Sequence, residues 1–289
     1  MFIPPESRWS VPFDGSFEVR AHPTAPLAAP PAKKELRRQL NEVIKDIDDL
    51  QYRLFAEDSR SLLLIFQALD AAGKDSTIRA VFRGVNPAGL QVTAFGEPSD
   101  LDLDHDFLWR TTRMLPQRGR LGVFNRSYYE EVLVVRVHPE YLKPQRLPPG
   151  DDLDALWEGR LASIRDHEAH LARNGTTVLK FWLNVSRDTQ AKRLRDRVEG
   201  LEKQWKFSES DVRDRQHWDA YLDAYQCALN ATSQPWAPWY AIPADNKPYM
   251  RLAVAEIIAT TLRAMDPQLP QVEPIGPGER RRILGLLDQ

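Results

Sequence analysis

A single cysteine, Cys227, stands among the 289 residues, which excludes an internal disulfide and a zinc site built on several thiolates. Apolar runs are short: none approaches the roughly 18 residues of a membrane span. The start, Met1-Phe2-Ile3-Pro4-Pro5, lacks the basic-then-apolar order of a secretory leader, so a cytoplasmic protein is expected. An excess of either charge is missing too: 39 Lys and Arg meet 41 Asp and Glu, a formal balance of −2. That argues against a generally basic nucleic-acid binder. What remains is a chain of ordinary soluble composition, long enough for one large α/β domain.

Proline is concentrated at the start. Prolines at 4, 5, 12, 23, 26, 30 and 31 keep residues 1–34 from regular helix or sheet, and predict an arm lying on the body or on a neighbouring subunit. From Lys33 to Glu57, Leu36, Leu40, Val43, Ile44, Ile47, Leu50 and Leu54 recur at helical spacing and form one apolar stripe. Leu62–Phe66 is apolar throughout, the mark of a parallel strand covered on both faces. Gln91–Phe95, Leu121–Asn125, Val178–Val185 and Trp239–Pro243 read as further strands, and Ser76–Phe82 and Leu153–Arg173 as helices between them. This alternation predicts a doubly wound parallel sheet. Leu142–Asp152 reads as a loop insertion. Residues 35–265 form the expected domain, with 266–289 a C-terminal tail.

Gln67-Ala68-Leu69-Asp70-Ala71-Ala72-Gly73-Lys74-Asp75-Ser76-Thr77 follows the first strand. Strand, small-residue loop, lysine and helix, here expected to begin at Ser76, is the context a phosphate loop requires. Small residues let backbone N–H groups turn toward phosphate oxygens, the helix N-terminus adds its positive end, and Lys74 supplies a point charge. The match to G-x-x-x-x-G-K-[ST] is imperfect, because Ala68 takes the first glycine position and Asp75 the hydroxyl position. Ala71, Ala72, Gly73, Asp75, Ser76 and Thr77 are the expected phosphate-binding residues. Asp70, a carboxylate beside phosphates, makes sense with a bridging Mg²⁺.

Asn125-Arg126-Ser127-Tyr128-Tyr129-Glu130 ends the strand at Leu121–Asn125. An amide at the strand end cannot carry the charge of a magnesium ligand, so Glu130 becomes the candidate for metal or base work. Arg126 is placed to stabilise charge on a transferring group. After Val178–Val185, residues 187–215 are rich in cations. Arg193 and Arg197 are four apart and share a helix face, and Lys203 and Lys206 follow. Behind a central strand this is where a mobile, arginine-bearing lid would close. Asp100–Asp106 reads as the start of a helix, with Asp102 or Asp104 near a nucleotide mouth. His167-Glu168-Ala169-His170 is not a zincin helix, since its histidines are three apart rather than four, and both histidines read as helix surface; Trp236, Trp239 and Tyr240 read as core, and Cys227 as a buried small hydrophobe.

Leu69–Asp75, Phe124–Glu130, Trp205-Lys206-Phe207-Ser208 and Asp245-Asn246-Lys247 together resemble the polyphosphate kinase 2 family, over roughly Lys33 to Met265. The resemblance implies a thymidylate-kinase-like P-loop fold, three-layer α/β/α, with a central parallel sheet and a helical lid. It implies phosphoryl transfer between inorganic polyphosphate and AMP or ADP with Mg²⁺, replaceable by Mn²⁺. By the same resemblance Asp70 and Lys74 organise metal and phosphate, and Arg126 and Arg197 are the arginines of the second motif and the lid. Asn125, where most members carry Asp, and the stretch Tyr129-Glu130-Glu131-Val132-Leu133 resemble the subgroup that phosphorylates both AMP and ADP. Glu130 is implicated there in substrate range. Whether Asp70 or Glu130 holds most of the metal charge stays open. Asn125 and Asp102 are assigned to the nucleotide.

Polyphosphate carries about one charge per unit and no base, so its site should be a track of cations. Arg79 and Arg83, four apart on one face of the helix expected after the loop, would continue that track from Lys74. The expected picture is a near-neutral protein with one strongly positive channel, no nucleic-acid or membrane partner, and self-association. Two other readings stand beside it: an ATP-dependent nucleotide or nucleoside kinase, and a non-catalytic nucleotide-binding module.

Overall fold

Strand and helix alternate along the chain. Helix α1 (Lys33–Glu57) precedes β1 (Ser61–Gln67), α2 (Lys74–Val81) and β2 (Leu90–Ala94). Short helices α3 (Asp100–Leu103) and α4 (Trp109–Thr112) lead to β3 (Leu121–Asn125), and α5 (Val134–Val137) and α6 (Leu153–Arg173) to β4 (Thr176–Asn184). Then come α7 (Arg187–Glu199), α8 (Glu209–Asp214), α9 (Trp218–Thr232), β5 (Trp239–Pro243), α10 (Lys247–Met265) and α11 (Pro277–Leu287). The structure is a computed structural model that describes residues 1–148, 150 and 152–288; the side chains of Lys203 and Lys206 lie outside the described residues.

The five strands form one sheet in the order β2-β3-β1-β4-β5, every pair parallel. Strand β1 is central, and Leu62 through Phe66 are fully buried. Its residues alternate as the pleat demands. Leu62, Leu64 and Phe66 join a core with α1, α2 and α10, while Leu63 and Ile65 face α6 and α9. Three layers, α/β/α, follow from that alternation, as expected. The chain leaves β1 toward β2, returns to β3, and only then crosses to β4. The carboxyl end of β1 is therefore a topological switch point, where open α/β sheets place their ligands.

The N-terminal arm is pinned to its own body. Val11 N–H donates to the Trp239 carbonyl (2.9 Å) and Ala241 N–H to the Trp9 carbonyl (2.8 Å). With the antiparallel bridge between Ser10 and Tyr240, this short run covers the free edge of β5. Trp9 packs into one core and Val11 into the other, so the arm keeps the sheet's alternation across its last edge.

Several local expectations need correction. Helix α2 begins at Lys74, because Gly73 at φ +112° already caps it. It ends at Val81, so Arg83 lies past the helix and shares no helical face with Arg79. A 3-10 turn, Pro139–Gln145, occupies the start of the expected loop at 142–152. Of the two histidines expected on the helix surface, His170 is exposed but His167 is half-buried; Glu168 between them is fully buried, turned toward Lys180 of β4 at 2.5 Å. Cys227 is only half-buried. Trp239 and Tyr240 are core. Among the described residues no helix is long and apolar enough to cross a membrane.

Candidate active site

The loop from β1 to α2 turns sharply at two residues. Ala71 adopts φ +60° and Gly73 φ +112°, the second in a region that side chains rarely tolerate. The conformation, not space, calls for glycine: a Cβ at Gly73 would lie at ordinary contact distance, 3.4 Å, from Met250 Cε and Ser76 Oγ. Lys74 opens α2 and folds back so that Nζ donates to the Ala68 carbonyl at 2.6 Å. Burial pushes its ammonium below the usual value, and the Asp70 carboxylate opposes that shift. An ammonium has three donors, so the contact with Ala68 leaves donors for a phosphate oxygen.

Arg126 joins this loop to the turn after β3. It adopts φ +65°, an uncommon conformation for a residue with a long side chain, and its N–H donates to the Phe66 carbonyl at 3.1 Å. Its guanidinium reaches Asp70 Oδ1 at 3.0 Å and Glu130 Oε2 at 3.7 Å. The arginine thus stands between the two carboxylates that the sequence singled out. Burial works against its charge, but Glu130, Asp70 and Asp211 together hold its pKa above the ordinary value. Burial likewise holds the Glu130 carboxyl above the carboxylate range, against the pull of Arg126 and Lys74. Gln67, with its amide oriented to satisfy both sides, donates to Glu130 Oε1 at 2.9 Å and accepts from Ser127 N–H at 3.2 Å.

Asn125 turns to α2 instead of toward the cleft: Nδ2 donates to Asp75 Oδ1 at 2.7 Å. An amide suits that place, since an aspartate would face Asp75 with like charge. Ser76 Oγ bonds back to the Gly73 carbonyl at 3.0 Å. Thr77 is fully buried, its hydroxyl 4.0 Å from Met250 Sδ. It therefore cannot meet phosphate, contrary to expectation, because its helix position faces α10.

The cation-rich segment divides by role. Arg193 holds backbone: its guanidinium donates to the carbonyls of Ala71, Ala72, Ala244 and Asp245, at 3.2, 2.7, 2.7 and 3.1 Å. It buttresses the loop against the end of β5 rather than offering a free charge. Gln190 does the same from α7, donating to the Asp70 carbonyl at 3.0 Å and accepting from Arg215 at 2.9 Å. Arg197 pairs with Asp211 Oδ2 at 2.9 Å. Asp211 is held above the usual carboxylate value by burial and by Asp70, which brings α8 electrostatically onto the loop.

These groups wall a cleft of about 450 Å³, lined by Asp70, Arg126, Glu130, Gln190, Asp211 and Tyr221 among others. Asp102 lies outside it, on an adjoining cavity of about 380 Å³, with its carboxylate closing a capping box on Ser99. Arg79 and Arg83 are exposed. The expected single positive channel is corrected: the cleft carries both signs, with Arg126 between Asp70 and Glu130, while Arg110 rests on the Gly96 carbonyl and Arg215 on the Arg187 carbonyl and Gln190. A cation-rich face lies instead on the α10 side of the loop. There Lys247 Cε would be 3.8 Å from a Cβ at Gly73, and burial with Arg193, Arg251 and Arg197 depresses the Lys247 ammonium. Arg251 is depressed by burial, then by Arg79 and Arg37.

The sequence reading missed five of these residues. Gln67 was signalled by a polar group ending an apolar strand, and Lys247 by its place in Asp245-Asn246-Lys247. Asp211 and Gln190 carried no signal beyond lying in a charged segment, and Arg251 none at all.

Comparison with known proteins agrees with this geometry. The family model "Polyphosphate kinase 2 (PPK2)" matches residues 31–270. The chain is 48% identical over 259 residues to an ADP-polyphosphate phosphotransferase of Rhodopseudomonas palustris, covering 89% of each chain. It is 42% identical over 267 residues to an AMP/ADP-polyphosphate phosphotransferase of Meiothermus ruber, covering 92% of this chain and 96% of that one. A crystal structure of polyphosphate kinase 2 from Arthrobacter aurescens superposes with a TM-score of 0.87 at 35% identity, covering 96% and 95% of the two chains. With a P-loop at the switch point, an arginine bridging its two carboxylates and a family match over most of its length, the chain belongs to the polyphosphate kinase 2 family.

Proposed function

We propose that this protein transfers phosphoryl groups between inorganic polyphosphate and the adenine nucleotides AMP and ADP, and that the observation carrying the reading is the Arg126 bridge beside Lys74. Phosphoryl transfer needs positioning and charge neutralisation more than covalent chemistry. Lys74 and the loop amides hold the phosphoryl group in flight. Arg126 exchanges carboxylate contacts for the charge developing on that group, and Arg197 exchanges Asp211 for the same purpose. Residues 187–215 would act as the lid that brings Arg197 in, while Arg193 keeps the loop in shape.

The two substrates differ in what they demand. A nucleotide needs a walled cavity, and the cleft bounded by Asp70, Arg126, Glu130 and Tyr221 offers one. Polyphosphate needs little but cations, and Lys247 supplies one beside Gly73, with Arg251 in electrostatic reach of Lys247 and Arg79 of Arg251. Lys203 and Lys206 remain assigned to the polyphosphate on sequence grounds. Glu130, inside the nucleotide cleft, is the residue for discriminating AMP from ADP.

Among the described residues no group of three or more His, Cys, Asp or Glu encloses a metal unaided. That suits Mg²⁺, which is commonly held by one or two carboxylates together with substrate phosphates. Asp70 and Glu130 offer hard oxygens on either side of Arg126, so the residues fit. Mg²⁺, or Mn²⁺ in its place, would neutralise phosphate charge when bound.

The test is direct. Purified protein is incubated with Mg²⁺, long-chain polyphosphate and AMP, with no other phosphoryl donor, and ADP and ATP are followed over time. Both should form. Turnover with ATP as donor but none with polyphosphate would replace this reading by an ATP-dependent nucleotide kinase.

A further inference from the structure

We infer that the buried ion pair between Glu168 of α6 and Lys180 of β4 is a positioning device, which fixes the Arg126–Glu130 turn through the hydroxyls of Tyr128 and Tyr129. Both charged side chains are fully buried. Lys180 Nζ donates to Glu168 Oε2 at 2.5 Å and to the Thr232 carbonyl at 2.8 Å, and lies 3.1 Å from the Tyr129 hydroxyl. On the other side of the carboxylate, Oε1 accepts from both tyrosine hydroxyls at 2.9 Å. Thr232 Oγ1 lies 2.9 Å from the Tyr129 hydroxyl and accepts from Trp239 Nε1 at 2.8 Å. One carboxylate thus gathers α6, β4, α9 and β5 around two adjacent tyrosines.

Those tyrosines sit between the two residues that face the cleft. Ser127 and the tyrosine pair are all that separate Arg126 from Glu130, and the 3-10 turn runs Tyr128–Glu131. Arg126 holds a left-handed backbone conformation, which persists only where its surroundings impose it. Gln67 and Ser127 supply restraint from the loop side; the ion pair supplies it from below.

Stability is a poor reason for such a pair. Burying two charges costs about as much as their attraction returns, and apolar residues of equal volume serve as well or better. Burial holds Glu168 above the carboxylate range and Lys180 below the ammonium range, each opposing the other's shift. What apolar residues could not do is hold two phenol hydroxyls in fixed positions. Neither Glu168 nor Lys180 touches the cleft, so both act through the turn.

The inference rests on Arg126 and Glu130 engaging the reacting phosphates, and the experiment separates the two ideas. Tyr128→Phe keeps the ion pair and the ring but removes one tether; Glu168→Gln loosens both. Each is made alone and in a Glu130→Gln background, and kcat, KM for nucleotide, KM for polyphosphate and Tm are measured. Tyr128→Phe should lower kcat about tenfold, as a slightly misplaced catalytic group does, with KM for polyphosphate and Tm near wild type. In the Glu130→Gln background the same change should cost less than it does alone, because one of the two cleft residues that the turn positions is already gone. Multiplicative losses in that cycle, or a fall in Tm with kcat per folded molecule unchanged, would overturn the inference alone. Full activity in Glu130→Gln would overturn the assignment of Glu130 and the inference with it. Should Glu168→Gln fail to fold, Tyr128→Phe still decides the matter.

Discussion

The two flanks of the phosphate loop handle positive charge in opposite ways. On the cleft side the arginines nearest the loop carboxylates are paired: Arg126 lies between Asp70 and Glu130, and Arg197 rests on Asp211, while Arg110 and Arg215 are held by carbonyls and Gln190. On the α10 side cations neighbour cations, with Arg79 and Arg37 depressing Arg251, and Arg193 and Arg251 depressing Lys247. A paired arginine can exchange partners as charge moves, which is what a reacting centre needs. A cluster of like charges is costly until a polyanion covers it, which is what a binding track needs. A net charge of −2 is compatible with both because acidic residues, several of them lining the cleft itself, offset the cation-rich face.

Lys74 stands where the flanks meet, so its loss should do most. Lys74→Met is expected to cut turnover by about a thousandfold or more. Thermal stability should hold, because the variant removes an ammonium that burial already disfavours. Steady-state rates and a melting curve decide it, and retained turnover would remove the loop from the chemistry.

Arg126→Lys comes next, with a loss of kcat of about a hundredfold, since a point charge cannot reach two carboxylates as a planar fork can. A pH profile then probes the same bridge. Burial raises the Glu130 carboxyl, so on acidification it gains its proton at a higher pH than an ordinary glutamate. The rate should fall as pH drops through that raised value, and Glu130→Gln should flatten this acid limb. An acid limb unchanged in Glu130→Gln would assign the titration elsewhere.

The other flank should respond in binding rather than in turnover. Arg251→Ala or Lys247→Ala is expected to raise KM for polyphosphate about three- to tenfold and to lessen its dependence on salt, with KM for nucleotide unchanged. If KM for the nucleotide rises instead, the two substrates are assigned to the wrong flanks.

Much of this was legible in the sequence because the signals were local. The apolar run Leu62–Phe66 could only be a covered strand, and Gly73-Lys74 after it could only be a few kinds of turn. The proline-rich arm was readable as irregular, although its run along β5 depends on an edge that sequence spacing does not reveal. The partners of charged side chains were not legible at all. Arg193 and Arg197 stand on one helix, yet the first holds backbone carbonyls and the second a carboxylate. Thr77 looked like a phosphate ligand and faces Met250, 173 residues away in sequence. The burial of Glu168 was not signalled, because helical periodicity shows which residues share a face, not which face a strand lysine will need. The solitary charge in an apolar strand, Lys180, was the available clue: a buried ammonium requires a partner.

Asn125 offers the smallest effect and the sharpest contrast between the flanks. Its amide joins β3 to Asp75 at the start of α2, between the cleft and the cation-rich face. Asn125→Asp puts two carboxylates within hydrogen-bond distance where one donor and one acceptor stood. They repel while both are ionised, so Tm should fall by about 1–2 °C at neutral pH, a small change because Asp75 is exposed and solvent screens the pair. Mg²⁺ should reverse the loss at neutral pH by lying between the two charges. A melting temperature unchanged with and without Mg²⁺ would mean that Asn125 does not rest on Asp75 in solution. It would then be free to turn toward the nucleotide, the role first expected of it, and the boundary between the two flanks would shift by one residue.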